Sequence, residues 1–141
     1  MTVLSIITCC DGFKLEDVRL SEYIKTLNDS LVGFDSFDIK FKGVTASPSC
    51  IMIQGFPLDD RLNRLRDKLR HGFIKSKLDI SIDTRYEIKT AHSTVIRFQN
   101  PITNPTEFLD FLQKYRNFNF GTLKVCNLEF VYNDWYQKRE Y

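Results

Sequence analysis

His92 and Thr94 stand two residues apart in the run TAHSTVIRF, residues 90 to 98. An imidazole takes or gives a proton near neutral pH, and a hydroxyl two places along can hold a phosphate oxygen beside it. The spacing suits a strand, where successive side chains alternate faces. Thr90, His92, Thr94, Ile96 and Phe98 then share one face, and Ala91, Ser93, Val95 and Arg97 the other. On a regular strand Arg97 therefore points away from His92 and reads as a surface or ion-pair residue. A three-position motif recurs by chance, and a lone strand histidine is more often a hydrogen-bonded structural residue. The elements around it have to decide.

A chain of 141 residues, 43% hydrophobic and 27% charged, is long enough for one compact domain with a sizeable core, and its composition is neither disordered nor fibrous. The net charge of +2 does not by itself argue for nucleic acid. Residues 2 to 9, with Val3, Leu4, Ile6 and Ile7, read as a strand buried on both faces. That apolar opening lacks a basic leader and falls short of the ~20 residues that cross a bilayer. The cytoplasm is the default compartment. Cys9, Cys10, Cys50 and Cys126 show no C-x-x-C spacing and read as reduced thiols.

Leu20, Ile24, Leu27 and Leu31 recur at helical spacing, with Ser21 as cap and Gly33 as stop. FDIKFKGV alternates as a half-exposed strand, and CIMIQGF follows as a more buried one antiparallel to it. A helix over 59–74 carries Leu62, Leu65, Leu69 and Phe73 inward, with Arg61, Arg64, Arg66, Lys68 and Arg70 around the rest as a solvated basic face, and His71 solvated among them. Asp59, Asp60 and Asp67 dilute that charge, which weakens any case for an RNA contact surface there. Asn104, Pro105 and Glu107 write a helix start, with Phe108, Phe111, Leu112 and Tyr115 on its buried side. GTLKVCNLEFVYNDWY closes as one long or two short strands. The fold class is α+β, with helices covering largely antiparallel sheets.

The segments FKGVTASPSCIMIQGFP, LRDKLR, DTRYEIKTAHSTVIRF and LEFVYNDWYQ resemble a bacterial branch of the two-histidine (2H) phosphoesterase superfamily, the group of 2′-5′ RNA ligase-like proteins and cyclic phosphodiesterases. The likeness covers nearly the whole chain. It implies a two-lobed fold in which two His-x-Thr/Ser motifs face each other across a cleft, with His92 and Thr94 as the second motif. It also implies chemistry without a metal or other cofactor: one histidine acts as base on a hydroxyl or water, the other protonates the leaving oxygen, and the threonines hold the phosphate.

The first motif departs from this pattern. Related strands resemble HxTVLSII, and here the chain opens MTVLSII, so Thr2 takes the threonine place and the histidine would precede Met1. The expectation is an N-terminally truncated fold, a fragment or internal start in preference to a naturally short form. With His92 alone, turnover should be severely reduced, since each acid or base contributes about 10²- to 10⁴-fold.

Arg85 and Tyr86, just before the motif strand, are candidates to reach a phosphate, and Tyr132, Trp135 and Tyr136 to stack a base, although aromatics on a terminal strand are more often core or interface. The partner is a nucleotide or RNA phosphodiester, not a membrane, and a sheet edge left exposed at residues 2 to 9 is expected to support a homodimer. The leading function is a metal-independent phosphodiesterase or 2′-5′ RNA ligase-like enzyme. The alternative is a catalytically inactive nucleotide- or RNA-binding module, and sugar mutarotation is a distant third.

Overall fold

The computed structural model describes residues 1–8 and 12–133. Among these, α1 (Leu20–Ser30), α2 (Arg61–Ser76) and α3 (Pro105–Tyr115) accompany β1 (Phe37–Ser47), β2 (Cys50–Pro57), β3 (Ala91–Arg97) and β4 (Asn119–Val125). The strands form one antiparallel sheet in the order β3-β2-β1-β4. The protein is α+β. The chain divides into two compact units: a sheet unit of Met1–Thr2, Phe37–Asp59 and Thr90–Val125, and a helical unit of the described residues within Val3–Ser36, Asp60–Lys89 and Cys126–Tyr141.

In the sheet unit, β1 places Phe37 and Ile39 on one face and Asp38 and Lys40 on the other, and both apolar rings and branches are buried. Pro48 and Ser49 turn the chain into β2, where Cys50 pairs with Ser47. Gly55 lets the buried face close up: a Cβ there would lie 3.0 Å from Ile39 Cγ2, 3.1 Å from Ala91 Cβ and 3.2 Å from Phe41 Cε1. The ladder is interrupted three times, within Phe41/Val44 against β2, within Phe41/Lys42 against β4, and within Ile51/Met52 against β3. Each interruption is an extra residue that bends and twists the sheet.

Asn104 caps α3 as its sequence predicts, accepting from Glu107 N at 3.3 Å and donating to the Glu107 carboxylate at 3.0 Å. Pro105 occupies the first turn. The inner stripe is narrower than expected. Phe108 and Leu112 are half-buried, whereas Phe111 is 50% and Tyr115 38% exposed, joined with Phe118 and Phe120 in a chain of ring contacts.

In the helical unit, Leu62, Leu65, Leu69 and Phe73 form the predicted stripe, with Tyr23 beside Phe73 at a ring separation of 6.1 Å. Gly72 marks the close crossing of α1 and α2, where a Cβ would meet Ser30 Oγ at 2.1 Å. Ser21 lies inside α1 and makes no cap bond; Arg19 occupies the N-cap position, also without a side-chain cap bond. Gly33 does end the α1 turn, in the left-handed region at φ 72.

Two expectations fail here. Residues 2–8 are not a strand, because their backbone partners come from side chains and an irregular segment, not from a ladder. Val3 O accepts from Arg66 Nε at 3.0 Å, Ile6 O from Ser81 N at 2.9 Å, and Thr8 N donates to Ser81 Oγ at 2.7 Å. The sheet edge expected there for a homodimer is therefore not formed, and the edges of the described sheet are β3 and β4. Beyond Val125, residues 126–133 are likewise not a strand.

The basic face of α2 is also less solvated than its sequence predicts. Arg66 is 1% exposed, and Arg70 is held by Asp83 at 2.5 Å, Asp67 at 3.1 Å and Ile88 O at 3.3 Å. Burial lowers the Arg66 pKa from its ordinary value, and the Asp83 hydrogen bond raises that of Arg70. No helix among the described residues is long and apolar enough to cross a membrane.

Candidate functional site on the polar face of β3

Register assigns the faces of β3. His92 stands opposite Gln54 and Thr94 opposite Met52, so these four share the face away from buried Ala91. Thr90 Oγ1 lies 3.4 Å from His92 Nδ1, a long contact that helps orient the ring. His92 and Thr94 are both half-buried.

The irregularity within Ile51/Met52 then changes the reading of Arg97. Thr94 pairs with Met52 and Ile96 with Ile51, which leaves Val95 as the extra residue. Past it the alternation is reset. Ile96 moves to the face of Ile51, and Arg97, opposite Cys50, returns to the face of Met52 and Gln54. Arg97 thus joins His92 and Thr94, contrary to the regular-strand expectation. A cation, a hydroxyl and an imidazole on one half-buried face suit a phosphate group.

The same face runs into a groove of about 540 Å³ beneath α3. Thr45, Ser47 and Gln54 line it from the sheet, and Leu112, Gln113 and Arg116 from α3 and its end. Gly43 holds that end in place. It lies in the bulge of β1 at φ 78, its N–H donates to Phe118 O at 2.8 Å, and a Cβ would fall 2.3 Å from Arg116 O and 3.2 Å from Gln54 Oε1. Only glycine admits both the backbone angle and the approach.

The other site candidates belong neither to β3 nor to the lining of this groove. Thr2 is exposed in an irregular stretch and falls within the sheet unit. Arg85 and Tyr86 are exposed in a loop of the helical unit. Tyr132 also belongs to that unit, where its hydroxyl donates to Phe13 O at 3.2 Å and its ring sits 6.0 Å from that of Phe13. Trp135 and Tyr136 lie outside the described residues. Among the described residues, no three His, Cys, Asp or Glu side chains come together as a metal site.

Sequence reasoning missed Arg97, Gln54 and the α3 groove. The spacing of Arg97 from Thr94 is odd, so only an inserted residue brings it round, and nothing in the local sequence marks Val95 as one. Compared with known proteins, the chain matches no protein-family model, no curated protein and no solved structure.

Proposed function

We propose that this protein acts on nucleotide phosphodiesters by histidine acid/base chemistry, as the resemblance to two-histidine phosphoesterases implies, with β3 carrying one half of the catalytic apparatus. The observation that supports this reading is the common face of His92, Thr94 and Arg97. In hydrolysis of a 2′,3′-cyclic phosphate, a water oxygen bonds to phosphorus, one ribose oxygen leaves, and two protons move: one from the water, one to the leaving oxygen. His92 carries one of these transfers. The Thr94 hydroxyl and the Arg97 guanidinium donate to the non-bridging oxygens as negative charge builds on them. By the resemblance, the second transfer belongs to the histidine of the family's first His-x-Thr motif, in which Thr2 takes the threonine place.

The test is to titrate the chain with adenosine 2′,3′-cyclic phosphate while following the His92 ring signals by NMR. Shifts that saturate support the site, and an unmoved His92 ends it. A chain extended by the first-motif histidine and its preceding segment should then gain turnover that His92→Ala abolishes. A second reading, binding without turnover, draws on the one complete His-x-Thr motif of this sequence, His92 with Thr94. It wins if the extended chain binds the nucleotide and leaves it intact.

A further inference from the structure

The two outer strands of the described sheet differ at their rims. β3 carries the inserted residue Val95, whereas β4 pairs with β1 residue for residue from Gly121 to Val125, its own extra residue, Phe120, lying ahead of that run. Leu123 and Val125 stand opposite Ile39 and Phe37, which are fully buried, so they lie on the core face of the sheet. Leu123 is nevertheless 49% exposed, so the core face runs out to this rim uncovered. Natural sheet edges are guarded by proline, by a bulge or by charge. Lys124 is the one charged residue of β4, and strand alternation turns it to the opposite face from Leu123. Toward the start of the same rim, the exposed rings of Phe111, Tyr115, Phe118 and Phe120 touch in series and hold roughly 350 Å² of apolar surface in water.

We propose that β4 is the contact through which two copies of this chain associate, pairing antiparallel with itself about a two-fold axis at Leu123. In that register the strand is self-complementary. Leu123 meets Leu123 of the second copy. Gly121 stands opposite Val125, and a Cβ on this glycine would meet nothing within 4 Å, so the space beside it is open. Thr122 stands opposite Lys124, which keeps the two lysines apart. An axis one residue further along would set Lys124 against itself, like charge on like charge. By the same symmetry the aromatic rims lie at both ends of the paired strands. A standard complex buries about 800 Å² per partner. The rings supply near half of that, and Leu123 with the main chain of β4 adds to it. The product is a reversible dimer with one continuous sheet, dissociating on the order of 10–100 µM as small interfaces do.

Sedimentation equilibrium of the full chain, from about 1 to about 500 µM, should show monomer passing into dimer. Leu123→Lys, which sets two like charges together on the axis, should weaken the dimer about tenfold or more. Ile96→Lys, at a similarly exposed position of β3, should leave it unchanged. Because Leu123 lies on the core face, exposed Thr122 provides a second test that holds even if Leu123→Lys fails to fold. Thr122→Glu should tighten the dimer about fivefold and Thr122→Lys loosen it about as much, since each sets two new charges across from Lys124. Opposite signs at one position do not come from a general loss of fold. A chain that stays monomeric at about 500 µM overturns the proposal. So does a dimer that survives Leu123→Lys, one that Ile96→Lys also dissolves, or one indifferent to the charge at position 122.

Discussion

The two units use their charged residues in opposite ways. In the helical unit, the arginines that look most like a binding surface are consumed internally: Arg66 donates to a main-chain carbonyl, and Arg70 bonds to Asp83, Asp67 and Ile88 O. In the sheet unit, His92, Thr94 and Arg97 stand half-buried on one strand face, which runs into a groove. The difference teaches that charge density along a helix can be spent wholly on the fold, whereas the polar groups of the sheet face stand beside an open groove. Substitutions should separate the two uses, with helical-unit changes acting on stability and sheet-face changes on ligand binding.

The largest effect should come from Phe73→Ala, since the ring is fully buried against Tyr23. A loss of about 3–5 kcal/mol in urea denaturation is expected, and a loss under about 1 kcal/mol would refute the core assignment. Asp83→Asn comes next. Asn tolerates the left-handed backbone found there, at φ 56, but removes the charge that faces Arg70. With side-chain exposures of 15% and 22%, the expected cost is about 2–3 kcal/mol, below the ~3–5 kcal/mol of a fully buried pair.

Gly43→Ala tests how far the sheet-unit groove depends on its own scaffold. The left-handed angle and the clash with Arg116 O should cost about 1–3 kcal/mol and loosen the end of α3. Spectral change confined to residues near 43 and 116, with the fold retained, is the signature to look for.

A smaller effect is pH-dependent. Burial, with Asp79 and Glu22 nearby, raises the Tyr23 hydroxyl above its ordinary value of 10.0, and the neutral group donates to Asp79 O at 2.6 Å. Because the folded value is the higher one, this stabilisation is complete below pH 10 and is lost as the pH climbs from there through the folded value. Tyr23→Phe should flatten that decline in thermal melts between pH 9 and pH 11, a range set about the ordinary tyrosine value.

The smallest effect on stability belongs to the residues given the chemistry. His92→Ala should change unfolding by no more than about 1 kcal/mol while abolishing the response to cyclic nucleotide. Arg97→Ala should weaken that response about tenfold, as expected for a lost charge-assisted contact. If both substitutions instead destabilise the fold and leave nucleotide binding intact, the contrast between the units is gone.

Local rules carried most of the architecture. The inner stripe of α2, the Asn104 cap and the β1–β2 hairpin follow from periodicity and capping, which act within a few residues. What could not be read locally depended on distant partners. Val3, Ile6 and Thr8 look like a strand until Arg66 and Ser81 occupy their main-chain groups. Arg66 looks outward until its burial is known. In the candidate site, His92 and Thr94 were legible because strand alternation places them together, and Arg97 was not, because the partner strand sets where the alternation resets.

The inserted residue at Val95 has one more consequence. β3 is an outer strand of the described sheet, and outer strands offer main-chain donors and acceptors on which a foreign chain can template itself. An irregular rim is a poor template, since a straight incoming strand matches it on one side of the defect only. The same extra residue that carries Arg97 to the face of His92 thus also protects this rim against aggregation. A variant that restored a regular β3 by other means would be expected to trade a change at the site for a stickier protein.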